Sequence, residues 1–151
     1  MECFKTFRKA PPSQLIMTLL VKNEESMLEE NLLFHKAMGV DSFIITDNNS
    51  TDSTPEIIRK YKQKGWIKEV IEEKATDYEQ KEWVDRMIWK AKTIYKADWI
   101  INADADELWY SPSGNLKTDL SATHANVLNC EMRSVYPEEN QPFWQWDKVV
   151  K

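Results

Sequence analysis

The chain has 151 residues, of which 42% are hydrophobic and 30% charged, and its formal net charge is −5. That length and balance fit one globular domain with a real core and exclude wholesale disorder. The 20 Lys and Arg are interspersed among 25 acids, so the plain reading is a solvated mixed-charge surface, not a basic face for a polyanion.

Met1 to Pro12 carries charge without the apolar core of a secretory leader. Gln14 to Val21 follows as a β-type run. Its apolar part, Leu15 to Val21 interrupted by Thr18, is far shorter than the ~20 residues needed to cross a bilayer. Asn23-Glu24-Glu25 is expected to open a helix with Met27, Leu28, Leu32, His35 and Met38 inward, closed by Gly39 as a left-handed cap. Ser42 to Thr46 reads as a second strand, and Asp47 to Asp52 as a dense turn. Ser53-Thr54-Pro55-Glu56 has the form of a capping box with Pro in the first turn, opening a helix that stops at Gly65. Trp66 to Ile71 is a third strand. A long helix over about Tyr78 to Lys96 follows, with a stripe of Trp83, Val84, Met87, Ile88, Ala91 and Tyr95. Trp99 to Ala103 is a fourth strand that runs directly into Asp104. A polar loop over Tyr110 to Asn115 and a strand near Asn126 to Met132 complete the pattern. Strands alternating with helices predict an α/β fold with a largely parallel sheet.

In such open sheets ligands bind at the carboxyl ends of the strands. The polar clusters after strands one, two and four (Lys22-Asn23-Glu24, Asp47 to Asp52 and Asp104 to Glu107) are expected at one edge. In the last cluster three carboxylates within four residues repel one another unless a cation offsets them. Oxygen ligands of this kind suit Mg2+ or Mn2+, which are completed by waters and substrate phosphates. A turn in which Asp104 and Asp106 cap backbone amides is the competing reading. Asp47 could accept a hydrogen bond from a nucleobase or ribose, against a plain turn role. Helix capping accounts for Asn23 and Glu24 without any ligand.

Other features carry less. Three glycines exclude Gly-rich phosphate loops. Cys3 and Cys130 form neither a disulfide framework nor a zinc spacing and suggest a reducing compartment or redox indifference. His35 reads as a packing histidine, and His124 falls in a polar loop. Arg86 could reach a phosphate, but a surface cation beside Glu82 and Asp85 is the simpler reading. Of seven tryptophans most are expected in the core, with Trp109, Trp144 and Trp146 as sugar-stacking candidates.

The segments Leu19 to Glu24, Asn31 to His35 with Gly39-Val40-Asp41, Ile45 to Thr54 and Asp98 to Leu108 together resemble glycosyltransferases of the GT-A fold, in particular the family-2-like group. They span about residues 14 to 110 in family order. The resemblance implies a Rossmann-like domain over 1–151 that binds a nucleotide-diphospho-sugar, UDP-linked in first place. It implies inverting, metal-dependent transfer to a hydroxyl of a glycan or lipid-linked acceptor, as in polysaccharide biosynthesis. Leu20, Lys22, Asn23, Glu24 and Asp47 then hold the donor, with Gln80 a weaker candidate. Asp104 and Asp106 hold Mn2+ or Mg2+ and the diphosphate. Glu138 and Glu139 are weak candidates for the base. The chain stops about 45 residues after the Asp-x-Asp motif, so the acceptor half is expected to be short or missing. A fragment, a truncated product and a small variant that binds donor without catalysis all stay open. The expected location is cytoplasmic or peripheral at the inner membrane face. An aspartyl-phosphate phosphotransferase fits poorly, because its nucleophile lies on the first strand and Leu108-Trp109 follow the motif here.

Overall fold

The structure, a computed structural model, describes residues 13–74, 80–123, 127–128 and 130–134. The elements run β1 (Leu15–Val21), α1 (Leu28–Ala37), β2 (Ser42–Asp47), α2 (Thr54–Gln63), β3 (Ile67–Glu72), α3 (Gln80–Thr93), β4 (Trp99–Ala103) and α4 (Leu116–Ser121). The four strands form one sheet in the order β3-β2-β1-β4, and every pairing is parallel.

Strand alternation sorts the side chains into two layers. Leu15, Met17, Leu19 and Val21 of β1 join Phe43, Ile45, Ile101 and Ala103 on one face, covered by Leu28 and Leu32 of α1 and Ile58 and Tyr61 of α2. Ile16 and Ile44 face the other way, onto Met87 and Ala91 of α3. β1 is thus covered on both faces, which explains why it reads as a continuous apolar run. Each of its fully buried aliphatic side chains contributes roughly 1.5–3 kcal/mol of transfer free energy. The stripe expected on α3 is the one buried, with Trp83, Met87 and Ala91 inside.

The strand edge opposite the carboxyl ends is closed by acids used as caps. The Asp41 carboxylate accepts the Leu15 amide at 2.8 Å and pairs with Lys117 at 2.9 Å, while that of Asp98 accepts the Gln14 amide at 2.7 Å.

Four local expectations change. α1 begins at Leu28: Asn23 lies in the left-handed region (φ 58°) and not in the extended region of a cap, and a turn in which the Glu24 carbonyl accepts the Met27 and Leu28 amides precedes the helix. The Ser53 capping box does not form: the Ser53 side chain caps no amide, and the Ser53 amide that Glu56 would accept goes to Glu25 at 2.9 Å. α3 ends at Thr93, and Lys96 in the left-handed region (φ 57°) turns the chain toward β4. The described residues of the strand expected near Asn126 to Met132 form none; Val127 and Met132 are 84% and 82% exposed. α4 was not expected; it is opened by Asn115, whose side chain accepts the Thr118 amide. Cys130 is free and exposed, whereas Cys3 lies outside the described residues. Among the described residues no helix is long and apolar enough to cross a membrane.

Gly39 and Gly65 close α1 and α2 with positive φ (95° and 75°), as their positions in the sequence predict. They differ in surroundings. A Cβ at Gly39 would lie 2.7 Å from the Asn115 side chain, whereas one at Gly65 meets nothing within 4 Å. Gly65→Ala should therefore cost about 1 kcal/mol of backbone strain, and Gly39→Ala at least that plus the displacement of the α4 cap. Urea unfolding of the two variants checks the ranking, and equal losses would mean that Asn115 yields freely.

Candidate functional site

β1 is the branch point of the sheet. The chain moves from it to β2 and β3 on one side and returns to β4 on the other, which defines a crevice between the carboxyl ends of β1 and β4. In register, Val21 stands beside Asp47 and Leu19 beside Ala103. The loops that follow β1, β2 and β4 consequently emerge together, as the sequence predicts.

The first two loops are stitched to each other. The Asn23 amide donates to Ser50 Oγ at 2.9 Å, and Asn23 Oδ1 accepts the Thr51 amide at 2.8 Å. The Glu24 amide donates to Thr54 Oγ1 at 2.8 Å and the Glu25 amide to Asp52 at 3.1 Å, while Glu25 accepts the Ser53 amide at 2.9 Å. Asn23 therefore does not cap its own helix; its side chain is committed to the neighbouring loop. Asp47 serves its turn, with Oδ1 accepting both the amide (3.0 Å) and the hydroxyl (2.6 Å) of Ser50. Ser50 thereby links Asn23 to Asp47. Against the desolvation of its site, hydrogen bonds from Thr54 and the Glu25 amide hold Asp52 below its ordinary value.

After β4 the chain makes a tight turn closed by the Glu107 amide on the Asp104 carbonyl at 3.1 Å. The Glu107 carboxylate folds back toward the Asp104 amide at 3.4 Å. Of the three acids, Glu107 thus joins in closing its own turn. Asp104 and Asp106 are exposed on either side of buried Ala105, which anchors the turn in the core. Across the crevice, burial, then the charges of Asp106, Asp104 and Asp52, push Glu24 above its ordinary value. The field of the acidic turn is therefore felt on the β1 loop.

Two carboxylates suit a hard divalent cation that takes its remaining ligands from water and phosphate. No group of three or more His, Cys, Asp or Glu able to hold a metal exists among the described residues. The donor set thus fits a cation that arrives with a ligand's phosphates and does not fit a complete protein cage.

Behind the acidic turn lies a feature that sequence reasoning missed. Asn31, fully buried on α1, donates through Nδ2 to the carbonyls of Ala105 and Glu107, each at 2.9 Å, with the Asp104 carbonyl at 3.5 Å. His35, one helical turn on, accepts the Trp109 amide at Nε2 (2.9 Å), and its Nδ1 meets the Asn31 carbonyl and Oδ1, each at 2.9 Å. An acceptor at Nε2 requires the hydrogen to be on Nδ1, which fixes a neutral tautomer. Burial lowers the His35 pKa to about 4, partly opposed by its bond to the Asn31 carbonyl. The sequence signal was an Asn and a His at i, i+4 on an apolar face, where each buried polar group needs a partner.

The remaining candidates are more dispersed. Leu20 is half-buried on the α3 face, Lys22 is exposed, and Gln80 is exposed at the first residue of α3. Arg86 pairs with Glu73 at 2.7 Å, not with Glu82 or Asp85. Trp83 is in the core as expected, and Trp109 is half-buried against the main apolar cluster. His124, Glu138, Glu139, Trp144 and Trp146 lie outside the described residues.

A parallel β3-β2-β1-β4 sheet flanked by helices, with acids at the β4 end, belongs to the GT-A class of glycosyltransferase folds. The family model for glycosyltransferase family 92 matches residues 17–142, and the chain belongs to that family. Among solved structures it resembles S. aureus TarS (TM-score 0.58, 17% identity, 72% of this chain and 19% of that one). It also resembles the mannosyltransferase PcManGT from Pyrobaculum calidifontis, solved with GDP-Man and Mn2+ (TM-score 0.50, 18% identity, 68% of this chain and 30% of that one). The chain spans 19% and 30% of the lengths of these two proteins. No curated protein matches it.

His35 gives the fold a pH dependence. The unfolded chain takes up its proton near pH 6.5 and the folded one only near 4, so the unfolded state binds more protons in between. Stability is therefore complete above about pH 6.5 and falls as the pH drops toward 4, by on the order of 3 kcal/mol. Urea unfolding at pH 7 and 4.5 should show this loss in the wild type and a smaller one in His35→Gln; equal losses would refute it.

Proposed function

We propose that this chain forms the donor-binding part of a glycosyltransferase that moves a sugar from a nucleotide-diphospho-sugar to a hydroxyl acceptor. The observation that carries the reading is the placement of Asp104 and Asp106, exposed at the end of β4 across the switch-point crevice from Glu24, on which their charges act. Two like charges in one short turn are unfavourable unless a cation shares them. Family membership and the GDP-Man and Mn2+ recorded with one structural neighbour support the same chemistry.

In this reading the nucleoside lies over the stitched loops, against Leu20, Lys22, Asn23, Glu24 and Asp47, with Gln80 a weaker contact. The diphosphate lies over the acidic turn, where Asp104 and Asp106 would hold Mn2+ or Mg2+. When bound, such a cation neutralises the departing diphosphate. The protein supplies rigidity: the loop-to-loop bonds of Asn23, Glu25 and Asp52 fix the nucleoside side before the ligand arrives. The family-2-like motifs favour inversion, a UDP-linked donor and a glycan or lipid-linked acceptor. A carboxylate would deprotonate the acceptor hydroxyl, Glu138 and Glu139 being the weak candidates.

A second reading is donor binding without transfer.

Calorimetric titration with UDP-, GDP- and dTDP-sugars, first with Mn2+ and then with EDTA, tests the proposal. One donor should bind with Mn2+ and at least about tenfold more weakly without it, a difference of ~1.4 kcal/mol. Asp104→Asn and Asp106→Asn should each remove the metal-dependent part. No metal-dependent binding of any donor would sink the reading, and binding without transfer or donor hydrolysis would favour the second one.

A further inference from the structure

The acidic turn closes through its own Glu107, and it is also held from behind by two side chains of α1 that contact no solvent. Asn31 and His35 are both fully buried. An amide nitrogen has two hydrogens, and the carbonyls of Ala105 and Glu107 at 2.9 Å take both. The side-chain oxygen of Asn31 meets His35 Nδ1 at 2.9 Å, which fixes the amide's orientation. Nε2 of the imidazole then takes the Trp109 amide. The chain of bonds leaves no freedom of tautomer or flip: reversing either group would set donor against donor or oxygen against carbonyl.

The partners on the loop are backbone groups only. Ala105 and Glu107 flank Asp106, and Trp109 follows the turn. Because their carbonyls are drawn inward to Asn31, Asp104 and Asp106 remain on the exposed side. The cost of ordering a loop that carries two like charges is met within the folded protein before any ligand binds.

We infer that Asn31 and His35 form a buried clamp whose task is to hold the Asp104–Trp109 loop in the shape that presents both carboxylates to a nucleotide diphosphate and its cation. The inference rests on the donor-site reading above. It makes Asn31 and His35 positioning residues, since neither reaches the crevice.

The test separates positioning from general stability. In the intact chain, UDP and GDP binding are measured with and without Mn2+, and the ratio of the two affinities is the readout. Loss of a merely structural group weakens both affinities together and leaves the ratio unchanged. Asn31→Ala and His35→Leu should lower the ratio by about tenfold or more, the scale of a buried hydrogen bond to a positioned group. His35→Gln, whose amide oxygen can accept the Trp109 amide, should recover most of it. A folded Asn31→Ala or His35→Leu variant with the wild-type ratio overturns the clamp.

Hydrogen exchange on the wild type stays decisive where a variant does not fold. The Trp109 amide should exchange about a hundredfold or more slowly than the exposed amides of the same loop. Exchange at the exposed rate overturns the clamp. A wild type that binds neither UDP nor GDP in a Mn2+-dependent way sinks the donor-site reading instead, and exchange then judges the clamp alone.

Discussion

The structure depends on one constraint, the position of β1 at the centre of a parallel sheet with a helical layer on each face. Apolar residues on both sides of one short strand force the chain to leave toward β2 and come back to β4 on the opposite flank. That reversal creates the crevice, because the connections diverge where two adjacent strands end. Everything polar at that edge then has to share a small space. The opposite edge shows what happens without this demand: Asp41 and Asp98 each accept one backbone amide as ordinary caps, and Asp41 is also neutralised by Lys117.

The crowding at the crevice is resolved in two ways. On the β2 side the acids are consumed by hydrogen bonds, as Asp52 and Glu25 take amides from the facing loop and Asp47 takes the amide and hydroxyl of Ser50 in its own turn. On the β4 side Asp104 and Asp106 stay exposed, and their charge is felt by Glu24 across the gap. One flank of the site is therefore electrostatically settled and the other is not. A ligand with a neutral, hydrogen-bonding end and a phosphate-cation end would match that division, as the nucleotide-sugar proposed above does.

The architecture was legible because its signals are repetitive. The alternation of β1 and β2 and the stripe on α3 each repeat the same statement several times, so strand β4 was placed to the residue and α3 to within a few at its C-terminal end. Features resting on a single polar side chain were read less well. Asn23 carries the composition of a helix cap, yet its left-handed backbone and its bond to Thr51 belong to another loop. Ser53 likewise gives its amide to Glu25 of the facing loop and not to Glu56. Short-range rules assume that a side chain finds its partner a few residues away, and at a strand edge the nearest partner is on a different connection.

His35 shows the same limit from inside the core. A lone histidine on an apolar helix face is correctly read as buried, but burial alone does not say what satisfies its two nitrogens. Here Asn31 and the Trp109 amide do so, more than seventy positions apart along the chain for the latter. This ties the helix after β1 to the loop after β4, the two connections that border the crevice. A site built on a gap between strands needs some element to span the gap from below, and a neutral imidazole with a carboxamide does this without adding charge beneath Asp104 and Asp106. A lysine or arginine in the same place would neutralise the carboxylates and weaken their hold on a cation; an acid would add to their repulsion.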